Sequence, residues 1–424
     1  MKTLAEWLVW QESQPRAAIQ LGLERVAQVA ARMGLLSLPF PVITVAGTNG
    51  KGSTCAMLTA CLSAAGYKVG TYTSPHIQAY NERIALNSIP AVDGLIVQAF
   101  EAIEVARGDI NLTYFEFGTL AAVYCFVQQQ VDIAVLEVGL GGRLDAVNIW
   151  DAEVAIVTSI GIDHIEWLGP DRESIGAEKA AIARKGKYLI SGDPNPPVSI
   201  QNIADTKGAL VLQYGIDFKI LPTTEHRFTL KNLDGIATYP YPALVGEVQL
   251  NNAAVVITAL QVLAHTTVIK VDPESISLGL QQVKLMGRLQ QAYNDPPVWV
   301  DVAHNGHAAQ SLASWLNAVK KEGQTHAVFS ILADKDLAEV VANLNKVIDT
   351  WHIFTLTGVR ALPMNEIVST LKKINPDAVI YQYSDLFLAL NGAMDQCKIL
   401  DKVVAFGSFL VVSGVLKHLS PSTL

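Results

Sequence analysis

Val42-Ile43-Thr44-Val45-Ala46-Gly47-Thr48-Asn49-Gly50-Lys51-Gly52-Ser53-Thr54 is the stretch that decides how this chain is read. Val42–Ala46 is a near-continuous apolar run, as expected of a strand covered on both faces. A helix is predicted from Ser53 to Ala65, closed by Gly66 where a left-handed residue is wanted. Between them, Gly47, Gly50 and Gly52 let the backbone fold tightly and aim successive N–H groups at a phosphate, and the helix N-terminus adds positive potential. Lys51 is placed to reach terminal phosphates, with the Ser53 or Thr54 hydroxyl facing phosphate or metal. The literal G-x-x-x-x-G-K-[ST] pattern fails because Gly52 separates Lys51 from Ser53, so the loop is a variant. A glycine-rich turn that binds nothing is the alternative. The guanine-reading N-K-x-D string is absent, since Val347-Ile348 follows Asn345-Lys346, which favours ATP.

Outward from this loop, strand-length apolar segments alternate with longer amphipathic ones, the pattern of an α/β protein with a mostly parallel sheet. Val69–Tyr72, Ile133–Glu137 and Val154–Ser159 read as strands, and Phe117–Gln129 and Ser174–Arg184 as helices. Residues 188–241 read as a small antiparallel excursion. A second series, Val298–Val300, Ala327–Ile331, His352–Leu356, Ala378–Tyr381 and Val403–Phe406, reads as a smaller Rossmann-like domain. The expected organisation is an ATP-binding P-loop domain over 1–287, a linker at 288–297 rich in turn residues, and a C-terminal domain over 298–424.

At 424 residues the chain exceeds the ~250–300 at which single cores stop growing. Half its residues are hydrophobic and 17% charged, which excludes global disorder, and a net charge of −8 gives no footprint for nucleic acid or an anionic membrane. The apolar patch Leu8–Trp10 has no export cleavage site after it, and no apolar run reaches the ~18–20 residues that span a bilayer. Cys55, Cys61, Cys125 and Cys397 form no C-x-x-C pair. A reduced, cytoplasmic monomer with small-molecule substrates, and no nucleic-acid or membrane partner, is expected.

Glu137 ends a predicted strand, where a carboxylate can hold magnesium against nucleotide phosphates or merely face water. Gly139–Leu144 also resembles a dinucleotide fingerprint, but Leu144 replaces the third glycine. Past the next strand, neutral His164 can ligate a metal with Asp163 orienting it, or be structural. Lys179 lies among Ala177, Ala180, Ala181 and Ala183; composition alone favours a solvated side chain.

Together these strings resemble the Mur ligase superfamily, and within it the bacterial dihydrofolate synthase/folylpolyglutamate synthase family. The resemblance rests on Gly47–Thr54, Thr73–His76, Glu82-Arg83, Leu112–Glu116, Glu137–Asp145, Asp163-His164, Trp167–Lys179, Gly287-Arg288, Asp301–Asn305 and Gly407–Phe409. It implies a P-loop Mur-ligase-type fold and ATP-dependent ligation of L-glutamate to dihydropteroate and to reduced folyl glutamates through an acyl phosphate. The alternatives are a monofunctional folylpolyglutamate synthase or another Mur-type ligase.

By residue, the resemblance implies ATP contacts at Thr48, Asn49, Gly50, Lys51, Gly52, Ser53, Asn252, Arg288 and Asp301. Mg2+ would be held by Ser74, Glu137, His164 and a carbamylated Lys179, with K+ a further ion to test. Pterin contacts are implied at Ala18, Ile19, Gln20, Leu21, Thr113, Tyr114, Phe115, Glu116, Leu144, Asp145 and Ala146. Tyr114 and Phe115 would pack on the heterocycle, with Glu116 or Asp145 accepting its N–H donors; helix-entry core packing is their other reading. Lys51, Lys179 and His304 are the catalytic candidates, with the ligase reading preferred to a zinc site at His304 and His307. Val147 stands where the family commonly has threonine, and Gly306 where proline usually follows His304-Asn305.

Overall fold

The computed structural model describes residues 2–14, 20–224, 226–319, 323–358 and 360–419. Two compact units form. Met1–Gly161, Ile165–Ala243 and Gln249–Lys284 make the first; Ile162–His164, Leu244–Val248 and Leu285–Leu424 make the second.

The first unit is built on strands β1 (Val42–Ala46), β2 (Val69–Tyr72), β3 (Ile84–Leu86), β4 (Ile89–Pro90), β5 (Ile133–Glu137), β6 (Val154–Val157), β7 (Tyr188–Ser191) and β8 (Leu210–Gln213), in the order β4-β3-β2-β5-β1-β6-β7-β8. From β2 to β8 the neighbours pair in parallel; β3 and β4 extend the edge antiparallel. Strands β1, β5 and β6 are buried at every position, as their unbroken apolar runs require. The helices are α1 (Leu4–Ser13), α2 (Glu24–Arg32), α3 (Lys51–Ala64), α4 (Asp93–Arg107), α5 (Tyr114–Gln128), α6 (Ile165–Leu168), α7 (Arg172–Ala180), α8 (Val198–Lys207), α9 (Val248–Thr266) and α10 (Pro273–Gln282). Chain order reverses around β1, with β2 and β5 on one side and β6 on the other. A ligand crevice is expected at the carboxyl end of such a switch point.

Two expectations change here. Residues 188–241 are not one excursion, because β7, α8 and β8 continue the parallel sheet. Only β9 (Lys219–Thr224), β10 (Arg227–Asn232) and β11 (Gly235–Pro240) form an antiparallel sheet. The apolar run in α9 is long enough to span a bilayer by length and composition, contrary to the sequence expectation; 72% of its 18-residue window is buried inside the protein, as in a core helix. The cysteines are free, with Cys55, Cys61 and Cys125 buried.

In the second unit, β12 (Gln290–Asn294), β13 (Pro297–Val300), β14 (Thr325–Phe329), β15 (Thr350–Ile353), β16 (Val379–Gln382) and β17 (Lys402–Phe406) lie in the order β12-β13-β17-β14-β15-β16. Helices α11 (Gly306–Ala318), α12 (Leu337–Leu344), α13 (Met364–Ile374), α14 (Leu386–Gln396) and α15 (Phe409–Leu419) complete it. The stretch 288–297 is therefore not a linker. The Asp295-Pro296 turn closes an antiparallel hairpin of β12 on β13, so the turn chemistry was read correctly but not the strands beside it.

This unit buries two histidines side by side. His326 Nδ1 lies 3.2 Å from His352 Nε2, and His352 Nδ1 lies 3.0 Å from the Tyr383 hydroxyl. Burial lowers the affinity of both for protons, His352 down to about 4, while Asp401 opposes the effect at His326. Unfolded, each takes a proton below about 6.5, which folded His352 refuses down to about 4. Stability is thus full above pH 6.5 and falls as pH drops through that window. Thermal melts between pH 7 and 4 should show this slope, and it should be shallower in His352→Phe.

Candidate active site

The phosphate loop leaves β1 at Ala46 and enters α3 at Lys51. Its glycines are required by position. A Cβ on Gly47, whose φ is +147°, would lie 1.8 Å from Thr158 Oγ1, and one on Gly50, at φ +86°, would lie 2.8 Å from Asn252 Oδ1. The residues after β6 clasp the loop. The Thr158 and Ser159 hydroxyls donate to the Asn49 carbonyl at 2.6 and 3.1 Å, and the Thr48 N–H donates to the Ser159 carbonyl at 2.7 Å. Lys51 Nζ reaches back over the turn to the carbonyls of Gly47 (3.0 Å) and Thr48 (3.2 Å). Among the described residues no side chain caps α3 at Gly50, and the fully buried Thr54 Oγ1 has no partner. An uncapped helix N-terminus, a glycine cradle and an orphaned hydroxyl together fit a nucleotide phosphate. Asn252, from α9, lies against this loop at Gly50.

At the end of β5, Glu137 is 4% exposed and its Oε2 accepts the Ser74 N–H at 3.0 Å. Glu137 and Lys51 both act on the Cys55 thiol, which burial first of all pushes well up, and Lys51 also pulls on Asp145. The loop lysine and both carboxylates therefore share one electrostatic neighbourhood.

Lys179 is 5% exposed, which corrects the solvated reading. Helix α7 ends at Ala180 instead of Arg184 and lies on the Gly139–Asp145 loop: a Cβ on Gly142 would sit 2.7 Å from the Glu178 carbonyl oxygen and 3.1 Å from Lys179 Cα. The Arg143 N–H donates to that carbonyl at 3.0 Å. Small residues at 141 and 142 are what allow a lysine to be buried here.

The three stretches implied for pterin meet in the first unit, except that Ala18 and Ile19 lie outside the described residues. Arg25 Nη2 donates to the Gln20 carbonyl at 2.9 Å and to Glu116 Oε1 at 3.0 Å, and the Gly22 N–H donates to the Leu144 carbonyl at 3.3 Å. Phe115 lies over Gly139, where a Cβ would come within 2.5 Å of its ring, and 5.7 Å from Tyr72. Tyr114 sits edge-on to Tyr80 and under the Arg83 guanidinium. Glu116 is less available than expected. Its Oε2 accepts the Thr113 N–H at 2.7 Å in a capping box and its Oε1 is paired with Arg25. Asp145 is the better acceptor: it is 3% exposed, takes the N–H groups of Leu140 and Val147, and is pushed by burial up to about 6. Arg25 was missed because no spacing rule connects it to Glu116. Glu82 was named only within a family string; its carboxylate collects the N–H groups of Ile77, Gln78 and Ala79 and so fixes the loop after Ser74.

In the second unit, Asp301 accepts the N–H groups of Leu289 (2.9 Å) and Ala303 (2.8 Å), and burial raises its carboxyl against the pull of Arg288. His304 Nδ1 donates to the Val302 carbonyl at 2.7 Å, so Nε2 faces Asp163, 3.6 Å away. Asp163 does not chiefly orient His164, whose Nε2 is 3.9 Å off. It accepts from Lys335 (2.7 Å) and Asn305 (3.1 Å). Burial works to raise this carboxyl, but the bond to His304 and the charges of His164 and Lys335 hold it far below the usual range. His164 itself is exposed at φ +53°. Gly306 has a local reason: the Glu339 carboxylate occupies the space a Cβ would take. Among the described residues no group of three or more His, Cys, Asp or Glu converges as a metal cluster.

Residues 45–260 match the Mur ligase middle domain and residues 287–409 the Mur ligase glutamate ligase domain. Over 416 residues the chain is 43% identical to the dihydrofolate synthase/folylpolyglutamate synthase of Escherichia coli K12, covering 98% of this chain and 95% of that one. The chain belongs to this family of Mur ligases. Solved members include E. coli FolC in complex with DHPP and ADP, at a TM-score of 0.93, 43% identity and coverage of 99% and 98% of the two chains. A bifunctional folylpolyglutamate synthase/dihydrofolate synthase with Mn, AMPPNP and L-glutamate bound has a TM-score of 0.90 at 40% identity, covering 99% of both chains. The family's α/β architecture of two sheet-bearing units is the one found here.

Proposed function

We propose that this chain uses ATP to join L-glutamate to dihydropteroate, giving dihydrofolate, and to the γ-carboxylate of reduced folyl glutamates. The observation that carries this reading is the glycine cradle at residues 47–54 with Lys51 folded over it, in a chain 43% identical to a dihydrofolate synthase/folylpolyglutamate synthase. A carboxylate and an amine do not condense in water because the leaving oxygen is poor. The substrate carboxylate takes the γ-phosphoryl group, ADP leaves, and the glutamate amine then displaces phosphate through a tetrahedral intermediate.

In this reading Lys51 and the loop N–H groups neutralise charge developing on the phosphoryl oxygens. Ser74, Glu137, His164 and a carbamylated Lys179 would hold a divalent cation, proposed as Mg2+, which would supply further charge neutralisation. Carbamylation converts an ammonium that repels a cation into an anionic oxygen ligand. Asn252, Arg288 and Asp301 contact nucleotide, and His304 serves as a base for the incoming amine.

Gln20, Leu21, Thr113–Glu116 and Leu144–Ala146 receive the pterin, with Asp145 accepting its N–H donors. Purified protein supplied with ATP, Mg2+, L-glutamate and either dihydropteroate or tetrahydrofolate should release ADP only when a folate-type acid is present. Release that needs neither acid counts against the proposal, and activity with tetrahydrofolate alone reduces it to a monofunctional folylpolyglutamate synthase.

Two outcomes follow from the pterin contacts. Asp145 must be ionised to accept N–H donors, so kcat/KM for dihydropteroate rises with pH through about 6, and Asp145→Asn flattens that limb. The linked stability runs the other way: a carboxyl raised from 3.8 to about 6 on folding stabilises the fold below 3.8 and loses that contribution as pH rises through 6. Arg25→Met should raise KM for dihydropteroate roughly tenfold, about 1.4 kcal/mol, with KM for ATP unchanged. Equal shifts in both constants would reduce Arg25 to a folding role.

A further inference from the structure

The phosphate loop is docked on the strap that follows β6, residues 158–161, and the strap is itself gripped from behind. Besides clasping the Asn49 carbonyl and taking the Thr48 N–H, the strap receives the Thr48 side chain: its hydroxyl donates to the Gly161 carbonyl and accepts the Gly161 N–H, both at 3.0 Å. Ladder pairing of β6 ends at Val157, so the buried backbone of the strap needs other partners. Ile160, 3% exposed, gives both of its backbone groups to one ion pair. Asp193 Oδ2 accepts its N–H at 2.7 Å, and Arg172 Nε donates to its carbonyl at 3.0 Å. Arg172 Nη2 closes the bracket, donating to the same Asp193 oxygen and to the Asn195 carbonyl, each at 2.9 Å, while Asp193 Oδ1 accepts the Asn195 N–H at 2.8 Å.

Asp193 stands just past β7 and Arg172 opens α7, so the strap is fixed between two elements that are far apart in sequence from the loop it carries. A planar guanidinium with two N–H groups aimed along one edge sets direction as well as distance. Thr48 bonds to Ser159 and Gly161, on either side of the gripped Ile160, so a shift of Ile160 moves Thr48 with it. The loop has no slack to absorb such a shift, because the Thr158 hydroxyl fills the space where a Cβ on Gly47 would be. Backbone N–H groups aimed at a phosphate lose their advantage when displaced. Among the described residues neither Arg172 nor Asp193 bonds to the loop itself.

We propose that Arg172 and Asp193 are a positioning pair for nucleotide binding, holding Ile160, and through Gly161 the Thr48 end of the phosphate loop, in the conformation that receives phosphate. This rests on the nucleotide reading of that loop. Calorimetric titration with ADP in magnesium buffer tests it on Arg172→Met, whose side chain is 38% exposed in the wild type, and on the double variant Arg172→Met/Asp193→Asn, which leaves no carboxylate stranded. Both should bind ADP about tenfold more weakly, as for the loss of a hydrogen bond to a charged group. KM for ATP should rise by a similar factor while KM for dihydropteroate stays unchanged, and amide hydrogen exchange should quicken in residues 47–52 of the nucleotide-free chain. Glu173→Ala is the control: that carboxylate takes the N–H groups of Val198 and Ser199, tying α7 to α8 without reaching the strap, so its loss should lower Tm and leave ADP affinity as in wild type. The proposal is overturned, with the phosphate-loop assignment left standing, if Arg172→Met binds ADP as tightly as wild type, if the double variant regains wild-type affinity, or if Glu173→Ala weakens binding equally. A wild-type chain that does not bind ADP overturns both.

Discussion

Lys51→Ala should lower kcat by at least about 100- to 1,000-fold, the range for removing one preorganised group that stabilises developing charge. The geometry explains why the loss concentrates in turnover. Among the described residues Lys51 Nζ bonds to the carbonyls of Gly47 and Thr48 within its own loop, so its removal breaks no hydrogen bond to another element. The Thr158 and Ser159 hydroxyls still hold Asn49, and Gly47 and Gly50 keep their left-handed conformations. Circular dichroism and Tm should therefore match wild type while ADP release in the presence of dihydropteroate disappears. Lys51→Arg should not restore it, because a planar guanidinium is too broad to fold over a three-residue turn. Turnover retained in Lys51→Ala would remove the phosphate-loop assignment.

That loop was legible in the sequence because its signals are local. Strand, glycines, lysine and helix lie within thirteen residues, and Gly47 and Gly50 are each tied to a backbone conformation and a close approach. Strands buried on both faces were legible for the same reason: β1, β2 and β5 coincide with their apolar runs. What escaped depends on neighbours distant in sequence. Strand β12 is half exposed on the edge of its sheet, so Gln290–Asn294 has no apolar run to announce it. Lys179 reads as solvated until Gly142 removes the side chain that would otherwise keep α7 away. Arg25 and Glu116 are 91 positions apart, and Asp163 and Lys335 are 172 apart. Glu116 was given to the substrate because a capping box looks, in sequence, like any threonine followed three residues later by an acid.

Lys179→Ala is the second large effect, and the only one of these losses that a small molecule should repair. Lysine 179 is 5% exposed on α7 beside the Glu137 loop. An ammonium there would oppose a divalent cation held by Glu137. Attack of the neutral amine on CO2 forms an N–C bond, releases a proton and leaves an anionic oxygen pair that favours the cation. Removing the side chain should reduce kcat by about 100-fold or more, as expected when a charge-neutralising group is lost. The cavity so created lies where the proposed carbamate would stand, so acetate or formate at millimolar concentration should restore part of the activity to Lys179→Ala and none to Lys51→Ala. Wild-type protein assayed in CO2-depleted buffer should lose activity and regain it on adding bicarbonate. Gly142→Ala supplies an independent arm, since its Cβ would press on the Glu178 carbonyl and Lys179 Cα and shift α7 without altering any proposed ligand. It should lower turnover and weaken the response to divalent cation together. Full activity in Lys179→Ala, or a loss that neither carboxylate nor bicarbonate affects, would leave Lys179 as a packing residue and the cation with fewer ligands from this chain.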